Sequence, residues 1–110
     1  MSQEARSKVQ VIRIRLRPER AQEFIDWVRD LENRNAEVED AIRGERIDIE
    51  SLFLDESGDV LMYQASNDLS FATEALMISN KPVDIEAREM FARCVAAVTP
   101  LEPLLHARIV

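Results

Sequence analysis

The stretch Ile47 to Asn67, IDIESLFLDESGDVLMYQASN, constrains the fold of this chain more than any other. It reads as two strands joined at Ser57-Gly58. On the first strand Ile47, Ile49, Ser51 and Phe53 share one face, and Asp48, Glu50, Leu52 and Leu54 the other. On the second strand Val60 and Met62 share a face with Gln64 and Ser66, opposite Leu61, Tyr63 and Ala65. A half-exposed hairpin leaves one face polar. Here both faces are largely apolar near the turn, so both need a cover. The chain's own helices supply one, and a partner subunit is the simplest source of the other.

Length limits what else can help. With 110 residues, 46% hydrophobic and 32% charged, the chain suits a single domain, residues 1–110, with one core. The opening MSQEARSK lacks the apolar segment of a signal peptide. No apolar run approaches the roughly 20 residues needed to span a bilayer. Cys94 is the one cysteine, so no internal disulfide forms, and a buried thiol in a reducing, cytoplasmic setting is expected. The net charge of −7 is unevenly spread: the first 20 residues carry +4 and the other 90 carry −11. An acidic chain is a poor binder of a phosphate backbone, so no nucleic acid is expected as a partner, and no membrane.

In chain order, VQVIRIRL (Val9 to Leu16) is a strand with Ile12, Ile14 and Leu16 on one face and Val9, Val11, Arg13 and Arg15 on the other. Pro18 suits the first turn of the helix that follows. From Glu19 to Arg43, Phe24, Val28, Leu31, Val38 and Ile42 form an apolar stripe, with Gly44 expected to end the helix. At about 37 Å such a helix outruns a strand of about 27 Å, so it overhangs the sheet or kinks near Asn33-Arg34-Asn35. Trp27 and Ile25 flank the stripe, either bordering the core or meeting a partner. After the hairpin, Asn67-Asp68 caps a short helix reaching about Ser79. Asn80-Lys81-Pro82 interrupts, and Asp84 caps a second helix expected to reach Val98. PLLHARIV, Pro103 to Val110, is then expected as the last strand.

The order βαββαβ with right-handed crossovers gives an α+β ferredoxin-like sandwich, antiparallel sheet order 4-1-3-2, with the helices on one face. Arg13 and Arg15 then point to the open face of a central strand, where Asp48, Glu50, Tyr63 and Gln64 are the available acceptors and His106 and Arg108 can join them. Two readings compete. In one, these residues line a pocket between two paired sheets for a small polar or anionic molecule. Arg13, Arg15, Tyr63, Gln64 and Arg108 bind, and His106 and Glu50 transfer protons. In the other, the arginines only pair with carboxylates across a wet dimer interface. One His and one Cys offer no metal-ligand spacing, and no cofactor is called for. RNA-recognition domains of the same order stack bases on strand aromatics, which VQVIRIRL lacks. Heavy-metal-binding domains need a Cys pair where this chain has Arg17-Pro18-Glu19.

The segments VIRIRLRPERAQEFIDWVRDL, IESLFLDESGDVLMYQASND, NKPVD and LLHARIV together resemble the dimeric α+β barrel superfamily, and within it an uncharacterised family of unknown function. The resemblance implies a homodimer whose ferredoxin-like sheets pack face to face around a cavity. The hairpin is also similar to that of the superfamily's sugar mutarotases. Those enzymes use a His and a Tyr from the first strand–helix region, and this chain has neither there. The cofactor-free monooxygenases and heme-degrading members use Asn, Trp and His combinations, which Trp27 and His106 do not reproduce in matching motifs. The function expected is thus a ligand-binding homodimer. Its alternatives are an acid–base isomerase or cofactor-free oxygenase, or a purely structural dimer.

Overall fold

Strand-forming β-branched residues at alternate positions draw Lys8–Leu16 into β1, a central strand with Ile12, Ile14 and Leu16 on one face and Val9, Val11, Arg13 and Arg15 on the other. In the computed structural model, which describes residues 8–109, the elements follow as α1 (Ala21–Leu31), α2 (Asn35–Gly44), β2 (Ile47–Leu54), β3 (Val60–Ser66), α3 (Leu69–Ile78), α4 (Pro82–Cys94) and β4 (Val95–Pro100). The four strands form one antiparallel sheet in the order β2-β3-β1-β4, which is the expected 4-1-3-2 read from the other edge.

Register settles which side chains share a face. Ile14 lies opposite Val60, Ile12 opposite Met62 and Gln10 opposite Gln64, while Leu52 and Glu50 face Met62 and Gln64 from β2. This is the helix side. Ile14, Leu16, Phe24, Val60, Met90 and Cys94 form the core there, with Trp27, Val28 and Phe91 packed against it. Phe24 meets Trp27 and Phe91 with ring centroids 5.7 and 5.6 Å apart, in the tilted and edge-on arrangements aromatic pairs favour. The opposite face carries Val9, Val11, Arg13 and Arg15 beside Leu61, Tyr63 and Ala65, with Ile49, Ser51 and Phe53 from β2.

Four local expectations meet the structure differently. The long helix does break where predicted: a 3-10 turn at Glu32–Arg34 separates α1 from α2. There the Arg34 guanidinium grips both Glu86 oxygens at 2.7 and 2.8 Å, and Trp27 Nε1 donates to the same carboxylate at 3.1 Å. Trp27 is thus tied to α4 within its own chain. Gly44, by contrast, does not terminate α2 through a left-handed conformation. It is the last helical residue, and Arg46 takes the positive φ of 60°. Ser66 Oγ donates to the Arg46 carbonyl at 2.7 Å, and the guanidinium lies 3.9 Å above the Phe71 ring, which together hold that backbone. A bulge between Ile47 and Ile49 turns Ile47 onto the Ser66 side, so it is buried although Ile49 is exposed.

The last strand is the main correction. Val95–Pro100 pairs with β1, while residues 101–109 are exposed and form no strand; Val110 lies outside the described residues. The stripe Cys94, Val95, Val98 mimics a continuing helix. Val95, Val98 and Thr99 are nevertheless β-branched, and the free edge of β1 has backbone groups to satisfy, so pairing wins. Pro103 has no N–H to extend the ladder beyond the Leu101 N–H to Val11 carbonyl bond of 2.9 Å.

Candidate functional site

Three carboxyl groups converge between helices and sheet. Glu50 comes from β2, and Asp84 from the first turn of α4. Glu45 follows α2, where its N–H still bonds the Ala41 and Ile42 carbonyls at 3.1 Å. They sit at a cleft of about 100 Å³ whose remaining walls are chiefly apolar, including Trp27, Leu31, Leu52, Met62 and Phe91. Glu45 and Asp84 are buried, with 7% and 4% of their surface exposed.

Burial pushes the Glu45 carboxyl up to about 8, helped by the nearby Asp84 carboxyl, with which it shares a hydrogen bond, and by Glu50; Lys81 opposes the rise. Glu50 is also raised by burial and by Asp84, against the pull of a hydrogen bond from Gln64. That bond is one link in a chain across three strands. Gln10 Nε2 donates to Gln64 Oε1 at 2.6 Å, and Gln64 Nε2 donates to Glu50 Oε1 at 2.7 Å. Asp84 Oδ2 accepts from Ser79 Oγ at 2.5 Å, whose oxygen also accepts the Lys81 N–H at 3.1 Å. Asp84 is therefore not the cap of α4; Pro82 begins the helix, and the Asp84 side chain turns inward.

The arrangement can hold and pass a proton. The Glu45 carboxyl, raised by burial and by its acidic neighbours, keeps its proton where an exposed one would lose it. A polar group entering the cleft would meet both a donor and an acceptor. The volume is below the roughly 150 Å³ that accommodates benzene, so the fit is to a small fragment or to one end of a longer molecule. Among the described residues, no group of three His, Cys, Asp or Glu side chains is placed to hold a metal ion.

The residues expected to share one pocket fall into three places. Glu50 and Gln64 line the helix-side cleft. Arg13, Arg15 and Tyr63 lie on the open face of the sheet. There Arg13 Nη1 is bound to the hairpin turn, 2.5 Å from Asp55 Oδ2 and 3.1 Å from Asp59 Oδ2, rather than to Glu50 or Gln64. His106 and Arg108 are exposed in the segment after β4. The period-two pattern already put Tyr63 opposite Gln64; what was missing was which face of β2 matched which. Glu45 and Asp84 escaped sequence reading. Glu45 left one trace, an acidic residue at the negative end of a helix, where the macrodipole disfavours it.

The profile of a Family of unknown function (DUF6176) matches residues 7–110. The chain belongs to that family. No curated protein matches this DUF6176 chain. A solved structure from Bacteroides thetaiotaomicron, titled "Putative antibiotic biosynthesis monooxygenase", superposes with a TM-score of 0.64 at 16% identity, covering 96% of each chain. At that identity the likeness concerns the fold alone: a ferredoxin-like α+β arrangement on a four-stranded antiparallel sheet. No helix among the described residues is long and apolar enough to cross a membrane.

Proposed function

We propose that this DUF6176 protein is a one-domain homodimer that binds a small, largely apolar molecule by its polar end in the cleft between helices and sheet. The supporting observation is the gathering of Glu45, Glu50 and Asp84 in a cleft otherwise walled by apolar side chains. Buried carboxyls are costly unless paired, and a cleft that keeps three of them has a use for a proton or for a polar ligand group. Glu50 and Gln64 would receive the ligand, with Glu45 holding the proton beside Asp84. Arg15 and Tyr63 belong to the face that a second copy covers, and Arg13 braces the hairpin beside it. A free, buried Cys94 suits a cytoplasmic setting.

Acid–base isomerisation is the catalytic form of this reading, favoured by a Glu45 that keeps its proton near neutral pH beside Glu50. The experiment is a thermal-shift screen of small hydroxy, keto and amino compounds. A binder at a hundredfold excess over its Kd stabilises by about 2.7 kcal/mol. The shift should vanish in Glu50→Gln and in Leu52→Trp, which fills the cleft, while Arg15→Ala retains it. Shifts that survive both cleft variants would place the ligand elsewhere.

A further inference from the structure

We propose that the last turn of α3, residues 75–78, is a gate over the carboxyl cleft, latched by Arg88 and by the bond from Ser79 to Asp84. The inference rests on the cleft being a binding site, and adds how a molecule enters it and what couples entry to occupancy.

The closed cleft is smaller than the molecules its walls suit. About 100 Å³ leaves room for a polar end and little of an apolar tail, so a wall has to move. The walls differ in how firmly they are held. Trp27, Leu52, Met62 and Phe91 all pack against the core, whereas Leu76, the contribution of α3, does not. α3 buries one side chain, Ala72, and its last turn carries Met77 and Ile78 at 63% and 80% exposure. Lifting that turn uncovers little apolar surface beyond Leu76 itself. Such lightly packed segments open at a fraction of the cost of global unfolding.

Among the described residues, no side chain of α3 forms a hydrogen bond or ion pair with another element. The helix is held at its ends instead, and both ends lead to the cleft acids. At the first end Asp68 Oδ1 accepts the Phe71 N–H at 3.1 Å, and the Asp68 N–H donates to Ser66 Oγ at 3.0 Å. Ser66 Oγ donates in turn to the carbonyl of Arg46, the residue after Glu45, whose guanidinium also lies over the Phe71 ring. This end is the fulcrum. At the other, Arg88 Nη1 from α4 donates to the Leu76 and Ser79 carbonyls at 2.7 and 2.9 Å. Those bonds satisfy carbonyls at the helix end, and their charged donor strengthens them. Ser79 Oγ completes the latch by donating to Asp84 Oδ2. A ligand group that donates to Asp84 competes with Ser79 for the same carboxyl, and so loosens the latch as it enters.

The test reads access rather than binding. Val83→Cys places a thiol in the cleft wall beside Asp84, at a buried position, while the fully buried Cys94 reports opening of the whole fold in the same molecule. Mass spectrometry follows both thiols during labelling with methyl methanethiosulfonate. Adding Arg88→Met or Ser79→Ala should speed labelling at position 83 at least tenfold, with Cys94 labelling and the circular dichroism spectrum unchanged. Unchanged labelling at position 83 in both variants overturns the gate, and so does a rise at Cys94 that keeps pace with it. Should Arg88→Met not fold, Ser79→Ala decides alone. The two readings fail separately. Thermal shifts by small compounds with unchanged labelling remove the gate and keep the binding site. Faster labelling with no compound shifting the wild type keeps the gate and removes the binding reading.

Discussion

Glu45 is a carboxyl that folding moves far from its behaviour in water. Folding moves its carboxyl from an ordinary 4.5 to about 8, so the native chain holds a proton between those values that the unfolded chain has lost. Stability from this group is therefore fully present below about pH 4.5, falls as pH rises through the window, and is gone above about 8. Each unit corresponds to about 1.4 kcal/mol, and water entering the cleft screens part of it, leaving an effect on the order of 1–3 kcal/mol. Glu45→Gln should flatten that dependence. In urea titrations at pH 5 and pH 9, wild type should lose stability toward pH 9, and the variant should lose clearly less. Equal pH slopes would mean that Glu45 titrates normally. Gly44 beside it is a smaller case: a Cβ there would come within 2.7 Å of Lys81 Nζ, which bonds the Asp40 carbonyl. The lysine end can swing aside, so Gly44→Ala should gain about 0.5–1 kcal/mol from helix propensity, measured as a higher urea midpoint.

At the scale of elements, the hairpin turn is the best-determined unit. Asp55 Oδ1 accepts from Ser57 N, Ser57 Oγ and Asp59 N, while Oδ2 takes Arg13. Those bonds, Ser57 first and Arg13 next, hold the Asp55 carboxyl well below the usual range. Gly58 closes the turn at φ 91°, with open space around it, so only backbone strain opposes a side chain there. Gly58→Ala should cost about 1–2 kcal/mol and lower Tm by several degrees, with the fold retained on circular dichroism. The hairpin was legible in sequence because its alternation and its Ser-Gly turn agree. The kink at Glu32–Arg34 was legible because helix and strand lengths did not match. The end of α4 was not: Cys94, Val95 and Val98 satisfy a helical period as well as a strand, and only the unfilled β1 edge decides between them. The cleft was half legible, since Glu50 and Gln64 sit in the pattern, whereas Glu45 and Asp84 reach it through the Arg46 backbone turn and the α4 entry.

Among the described residues one sheet face is packed by the helices and the other carries no helix, and that open face, where Ile49 and Phe53 are exposed and Ala65 is buried, is not a water-facing surface in composition. Val9, Val11, Leu61, Tyr63, Ala65, Ile49 and Phe53 lie on it together, and the charge on its central strand comes from Arg13, already neutralised by the turn, and from Arg15. Single exposed apolar residues are ordinary, but a contiguous group on a sheet marks an interface. If a second copy covers this face, a charge at its centre should separate the subunits with little effect on the protomer, because the helix-side core of Ile14, Phe24, Val60 and Cys94 is untouched. Leu61→Asp should therefore raise the dimer dissociation constant by at least a hundredfold in sedimentation or light scattering. That corresponds to about 2.7 kcal/mol, within reach of a buried unpaired charge. The far-ultraviolet spectrum should stay the same. Ligand response separates the two sites: since the carboxyl cleft lies on the other side of the sheet, a monomeric Leu61→Asp should still give the thermal shift that Glu50→Gln removes. Loss of the shift together with the dimer would tie binding to the space between subunits.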